Sequence, residues 1–328
     1  MKRREAFTLL ELLVAVAITL ALAGLMLAVA TETLTLWSRT QDNFTTAAQA
    51  RLALDLLERD LQALVLRRDG VTRLAVDVIN SAPALTNHGW IVSGPAKPTG
   101  PESQRLLPEG ISPSIASARF GLSGACLRFV TTNVESGGSL PVAVSYQIAR
   151  RPVSGSVSTA NPAEVRYCLF RSAVTAGAVI VSGTDILGPA YASSSGTPAA
   201  SRAPATISNP STTDALVPNA VDFGVWFHAR VTSGELRRLF PADPTDLSHA
   251  AHETTDTPDD GARYPDVIDV MVRILSERGA ALLLEMENNT GRTSRPPAFA
   301  SDGEWWWSVV EANSRVYCRR VEVKGRTR

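Results

Sequence analysis

Apolar and polar positions divide this chain into two regimes. From Leu12 to Thr31 no side chain is charged, and a helix of about 20 residues spans roughly 30 Å, the thickness of a bilayer's hydrocarbon core. Past Thr31 the run turns amphipathic and does not stop. No Pro or Gly interrupts Thr31 to Arg67, and Leu54, Leu57, Leu61 and Leu64 recur at three- and four-residue spacing, the signature of one buried helical face. Arg51, Asp55, Glu58, Arg59 and Arg68 fall between or beside them, and Gly70 is the expected stop. The pattern predicts one helix of about 60 residues, some 90 Å long at about 1.5 Å per residue. Its first part would face lipid or other subunits, and its second part would pack a globular head.

Beyond Gly70 the period shortens. Leu74–Ile79, Trp90–Ser93, Cys126–Thr132, Val142–Ala149, Glu164–Arg171, Val221–His228, Val267–Leu275, Ala281–Met286, Trp305–Val310 and Arg315–Val323 read as strands, separated by turn clusters such as Ser136-Gly137-Gly138. Ser276–Gly279 reads as a hairpin turn between two of them. The fold class expected is α+β: one long N-terminal helix packed on a mainly antiparallel β head. Residues 93–117 and 192–218 are too rich in Pro, Gly, Ser and Thr to build a core, and are expected to be long surface loops.

Composition narrows the function classes. Of 328 residues, 32 are Lys or Arg and 32 are Asp or Glu, so no net field attracts nucleic acid. Arg315, Arg319, Arg320, Lys324, Arg326 and Arg328 cluster near the C-terminus, but apolar residues interleave them as on a solvated strand face. Cys126, Cys168 and Cys318 permit at most one intramolecular bridge. Their apolar surroundings suit buried free thiols equally well, and none has C-x-x-C spacing. No cofactor or metal is expected.

The apolar run begins with a carboxylate. Arg3-Arg4-Glu5-Ala6-Phe7-Thr8-Leu9-Leu10-Glu11-Leu12-Leu13 places Glu11 at the edge of a segment where a lone charge is expensive. This block resembles the class III signal of type IV pilins and pseudopilins. The resemblance implies a leader at residues 1–6, cut by a prepilin peptidase after Ala6, and N-methylation of the new terminus at Phe7. Ala6 stands where the family usually has Gly; a small residue still fits. Cleavage would leave a positive amine on Phe7, and Glu11 of a neighbouring subunit could neutralise it, since neither charge is tolerable alone in low dielectric. Two plainer readings compete. Ala28-Val29-Ala30 has the A-x-A form of an ordinary secretory cleavage site, and the segment could also be an uncleaved anchor. In every case Lys2, Arg3 and Arg4 hold the N-terminus in the cytoplasm and put the remainder in the periplasm.

Further resemblance runs along the head. Glu58-Arg59-Asp60-Leu61, Leu127-Arg128-Phe129-Val130, Val144-Ser145-Tyr146, Tyr167-Cys168-Leu169-Phe170-Arg171 and Tyr264-Pro265-Asp266-Val267-Ile268-Asp269-Val270-Met271-Val272 are similar to the J-type minor pseudopilins of type II secretion. Asn313-Ser314-Arg315-Val316-Tyr317 and the large head also resemble the C member of a verrucomicrobial cassette of pilin-like proteins. The resemblance implies a leader at 1–6, a membrane and filament-core helix at 7–31, its amphipathic continuation at 32–69 and a periplasmic head at 70–328. It further implies a non-enzymatic minor subunit of a pseudopilus or pilus-like filament, near its tip. Its partners would be the prepilin peptidase, other pilin or pseudopilin subunits and the cytoplasmic membrane.

The rival is a signal-anchored periplasmic binding or adhesive protein, or a hydrolase. Gly121-Leu122-Ser123-Gly124-Ala125 falls one residue short of a nucleophile elbow and precedes a strand where the elbow needs a helix. His249, His252 and Glu253 lack the spacing of a zinc helix. Asp256, Asp259, Asp260, Asp266 and Asp269 could offer oxygen ligands to calcium, without the ligand spacing of an EF-hand. Trp305-Trp306-Trp307, read as a strand, would put its outer two rings on one face and Trp306 on the other.

Overall fold

A computed structural model describes residues 9–79, 118–120, 124–133, 140–152, 165–192, 199–231, 233–243, 245–254, 262–287 and 295–323. The expected strand at Trp90–Ser93, the loop at 93–117 and the Ser136–Gly138 turn lie outside them. The chain divides into two compact units, Met1–Thr45 and Thr46–Arg328. Helix α1, Leu9–Gln62, begins in the first and ends in the second.

In the first unit the helix carries aliphatic side chains on every side, and all are exposed. In the second unit the predicted stripe is the buried one. Ala50, Ala53, Leu54, Leu57, Leu61 and the following Leu64 all enter the main core. The helix closes at Gln62, short of Arg67, because β2 captures the chain that follows. Val65 N–H donates to Val130 O (2.9 Å) and Thr132 N–H to Ala63 O (3.0 Å).

Two antiparallel sheets enclose that core. One is six-stranded, in the order β5-β4-β3-β2-β1-β8: Ala215–Pro218, Val165–Ala173, Leu140–Pro152, Ala125–Asn133, Leu74–Val78 and Ser248–Ala251. The other has the order β10-β9-β6-β7: Ser314–Glu322, Val267–Leu275, Ala220–Arg230 and Leu236–Phe240. Strand alternation sends Val142, Val144, Tyr146 and Ile148 of β3 into the main core and turns Ala143, Ser145 and Gln147 to the opposite face.

Three sequence expectations are corrected. Ala281–Met286 is not a strand, and Ser276–Gly279 is not a hairpin turn: Glu277–Glu287 is a helix, α3. Its buried residues, Gly279, Leu283 and Glu287, repeat every fourth position, and Ala, Leu, Glu and Met are strong helix formers. Trp305–Val310 is not a strand either, but part of helix α4, Asp302–Asn313. Ser301 caps it by accepting from Glu304 N–H, and Asp302 and Glu304 complement the helix dipole in the first turn.

The third correction concerns 192–218. From 199 onward this stretch is ordered into 3-10 turns at Pro204–Ile207 and Thr212–Asp214, followed by β5. Polar composition did not prevent burial here, because one carboxylate satisfies the hydroxyls. Asp214 accepts from Ser172 (3.0 Å), Ser201 (2.8 Å) and Thr206 (2.8 Å). With the short helix α2, Ala176–Ser182, this region covers the outer face of the six-stranded sheet. Val179, Ile186, Tyr191 and Ile207 pack there on Ala75, Val130 and Ala143 as a second, smaller core.

Candidate functional site

The apolar segment of the first unit is the candidate site. Glu11 lies in the first turn of α1, where the helix dipole favours a carboxylate. Around and beyond it Leu10, Leu12, Leu13, Val14, Val16 and Ile18 are between 49% and 73% exposed. A core helix of a water-soluble protein would bury such a face, and this one buries none. Among the described residues it is the one helix long and apolar enough to cross a membrane. Threonines within and beyond the run do not spoil it: Thr19, Thr31 and Thr33 donate to the carbonyls of Ala15, Ala28 and Val29 at 2.7–2.8 Å. Ala6 and Phe7 lie outside the described residues.

The other sequence candidates disperse. His249 is buried in β8 with Nε2 2.9 Å from Arg263 O, while His252 is exposed with Nδ1 2.9 Å from Ala250 O. Burial holds the His249 imidazole below its ordinary pKa. Glu253 is buried and bound to Arg68 at 3.0 Å. Asp256, Asp259 and Asp260 lie outside the described residues. Asp266 accepts from Arg230 N–H (2.7 Å), and Asp269 accepts two bonds from Arg320 (2.7 Å each). Among the described residues no group of three or more His, Cys, Asp or Glu is gathered to hold a metal ion. Of the elbow-like block, Gly121, Leu122 and Ser123 lie outside the described residues, and Gly124 leads directly into β2, which begins at Ala125. All three cysteines are free; Cys126 and Cys168 are buried and Cys318 is exposed.

Two buried polar networks organise the head, and the sequence reading did not assign either. Asp60 of α1 accepts from Tyr146 Oη (2.6 Å) and from Arg171 Nε (2.8 Å) and Nη2 (3.1 Å). These three residues come from three of the segments that carried the resemblance along the head. The available signal was a carboxylate set in the apolar stripe beside Leu57, Leu61 and Leu64. Burial first, and then the Asp60 charge, raise the Tyr146 phenol well above its ordinary pKa.

Glu287 is the second hub. It accepts from Arg150 Nε (2.7 Å), Tyr167 Oη (2.7 Å) and Trp306 Nε1 (3.0 Å). Its carboxylate sits at the C-terminal end of α3, the unfavourable end of the dipole, and three donors offset that placement. Of the tryptophan trio, Trp306 and Trp307 are buried, with centroids 5.0 Å apart, and Trp305 is half-buried. The helix, and not strand alternation, makes adjacent rings share the core.

Residues 1–27 match the family model described as "Prokaryotic N-terminal methylation motif". No curated protein and no solved structure matches the chain. The chain thus carries a type IV pilin-like prepilin motif at the head of its exposed apolar helix, the combination of a prepilin-peptidase substrate and a membrane anchor.

Proposed function

We propose that this protein is a non-enzymatic, pilin-like filament subunit. Prepilin peptidase would cut between Ala6 and Phe7 and methylate Phe7, with Lys2, Arg3 and Arg4 left on the cytoplasmic side. Residues 7–31 would hold the subunit in the cytoplasmic membrane, with the helix continuing from 32 to Gln62 and 70–328 forming the bulk of a periplasmic head. Assembly would draw the helix into a filament, where Glu11 pairs with the Phe7 amine of a neighbour. By resemblance it is a minor subunit of a type II secretion pseudopilus or a related pilus, of the J type or the verrucomicrobial cassette, and sits near the tip. The observation that carries the reading is the methylation motif at residues 1–27 leading into a helix whose aliphatic face is exposed on all sides.

The mature N-terminus tests it, read by intact mass and terminal-peptide mass spectrometry on protein from native membranes. N-methylated Phe7 is expected. A chain beginning at Thr31 means ordinary secretion, an intact Met1 means a plain anchor, and either result overturns the proposal. Glu11→Ala separates assembly from tethering: it should abolish filament incorporation while the protein stays in the membrane.

A further inference from the structure

Residues 118–120 belong to no helix or strand, yet two buried charges of the four-stranded sheet hold their main chain. Asp222 of β6 is fully buried and accepts from Phe120 N–H at 3.1 and 3.3 Å. Arg273 of β9, which faces Asp222 across the strand pair, is 3% exposed and donates from Nη2 to Ala118 O at 3.0 Å. Burying two charges is a costly way to fill a sheet, and apolar residues of similar volume are often as stable. Here each charge meets a main-chain group of one short segment, one the N–H and the other the C=O. Main-chain capture with side-chain pockets beside it is how extended peptides are recognised.

Each of the three side chains has fitted surroundings. Asp222, Gly224 and Trp226 alternate along β6 and so share one face. The fully buried Phe120 ring fills the notch left at Gly224, where a Cβ would lie 2.3 Å from Cε2, and Trp226 meets the ring edge-to-face at 5.0 Å. The Arg119 guanidinium lies 4.8 Å from the centre of the Trp307 ring. Its Nε and Nη2 both donate to Glu311 Oε1, at 3.2 and 2.5 Å. Trp307 and Glu311 stand four residues apart on α4, on one side of that helix. Ala118 is fully buried, so its place suits a small residue.

We propose that this face of the sheet is a peptide-recognition site for an extended small–Arg–aromatic sequence, that Ala118-Arg119-Phe120 is its resident occupant, and that a partner protein bearing such a sequence takes its place. The resident defines the partner's chemistry, residue by residue. It lies in no strand, so its release unzips no hydrogen-bonded ladder. Its Arg119 side is the open one, because the Glu311 side chain is 40% exposed while Phe120 is fully buried. An incoming copy of the sequence restores the contacts described above as the resident gives them up. The resident's advantage is then its tether to the chain, which acts as an effective concentration on the order of 1 mM. A partner overcomes that advantage by being held beside the head.

The test uses the full-length chain in detergent and a fluorescein-labelled peptide, Ser-Ala-Arg-Phe-Gly, the sequence of residues 117–121. Fluorescence polarisation should show saturable binding to the wild type. Arg119→Ala weakens the resident and leaves the groove whole, so the peptide should bind about two- to fivefold tighter. Arg119→Ala combined with Phe120→Gly empties the groove and should bind at least about tenfold tighter than the wild type. There, Phe→Ala in the peptide should cost about 100-fold or more, and adding Glu311→Gln to the protein about two- to fivefold. Binding by the emptied protein but not by the wild type would mean that residues 118–120 are permanent core, and would overturn the proposal. Binding indifferent to the peptide's Arg or Phe, or no binding to any of the proteins, would overturn it too. If the emptied protein does not fold, the wild type and Arg119→Ala decide by the same criteria. Every residue involved lies in the head, so failure here leaves the processing at Phe7 untouched.

Discussion

Replacing Glu287 by Ala should strongly destabilise the head. Glu287 and Arg150 each expose only 3% of their side chains. Removing the carboxylate leaves a guanidinium buried without its counter-charge, which costs about 3–5 kcal/mol. Tyr167 Oη and Trp306 Nε1, which donate to the same Oε1 at 2.7 and 3.0 Å, lose their acceptor as well. Each orphaned neutral donor costs about 1–3 kcal/mol, but the three losses share one site and do not add in full. A total near 5 kcal/mol follows, against the roughly 5–15 kcal/mol that stabilises a typical domain. The assay is urea unfolding of the full chain in detergent, followed by tryptophan fluorescence. Glu287→Gln, which keeps an acceptor for Tyr167 and Trp306, should lose less than Glu287→Ala. The double change Glu287→Leu with Arg150→Met should recover most of the loss, since a buried pair is often replaceable by apolar residues of similar volume. A Glu287→Ala cost below about 1 kcal/mol, or no recovery in the double variant, would refute the reasoning.

Three further outcomes are expected. Gly124→Ala should destabilise by about 2–4 kcal/mol, because its φ is +68° and a Cβ would lie 2.7 Å from Phe223 O. Gly177→Ala in α2, where a Cβ meets nothing within 4 Å, should instead gain about 0.5–1 kcal/mol in the same unfolding assay. Stability should fall as pH drops below about 6.5. Burial lowers the folded pKa of both His249 and His228, so the unfolded chain binds more protons there and unfolding becomes easier with acid. His249→Gln should reduce the change in urea midpoint between pH 7.5 and 5.5, and a flat wild-type midpoint would exclude the effect. The Cys126 thiol, pushed up to about 12 by burial, should resist maleimide at pH 8 until urea unfolds the head, with Cys318→Ser removing the exposed background.

The long helix was legible because two independent patterns, an uncharged run and a leucine stripe, are written over many turns. Strands β1, β2, β3, β4, β6, β9 and β10 were legible from their Val, Ile, Phe and Tyr content. Strands β7 and β8 were not: Leu-Arg-Arg-Leu-Phe and Ser-His-Ala-Ala are short, sit at sheet edges and owe their conformation to a neighbour. Helices α3 and α4 were misread because runs such as Leu282-Leu283-Leu284 and Trp305-Trp306-Trp307 are apolar at every phase, so neither period stands out. Ser301 three residues before Glu304 was the readable clue for α4. The N-terminal candidate was legible from local sequence alone, since it depends on consecutive residues. Asp60 and Glu287 were not, because what makes each a hub is donors between 19 and 137 residues away in the chain.

The attachment of α1 within the head has a mechanical consequence. Thr46 meets Tyr317 of β10 at 3.2 Å, Asp55 and Glu58 both hold Arg319 of the same strand at 2.6 Å, and Asp60 is bound to β3 and β4. Leu64, just past the helix, bridges to Thr131 of β2. A pull along the helix axis therefore reaches four strands in two sheets at once, through contacts staggered over several turns. Tension is divided among them and does not peel one strand from an edge, so the helix works as an embedded tendon and the head resists extraction as a block.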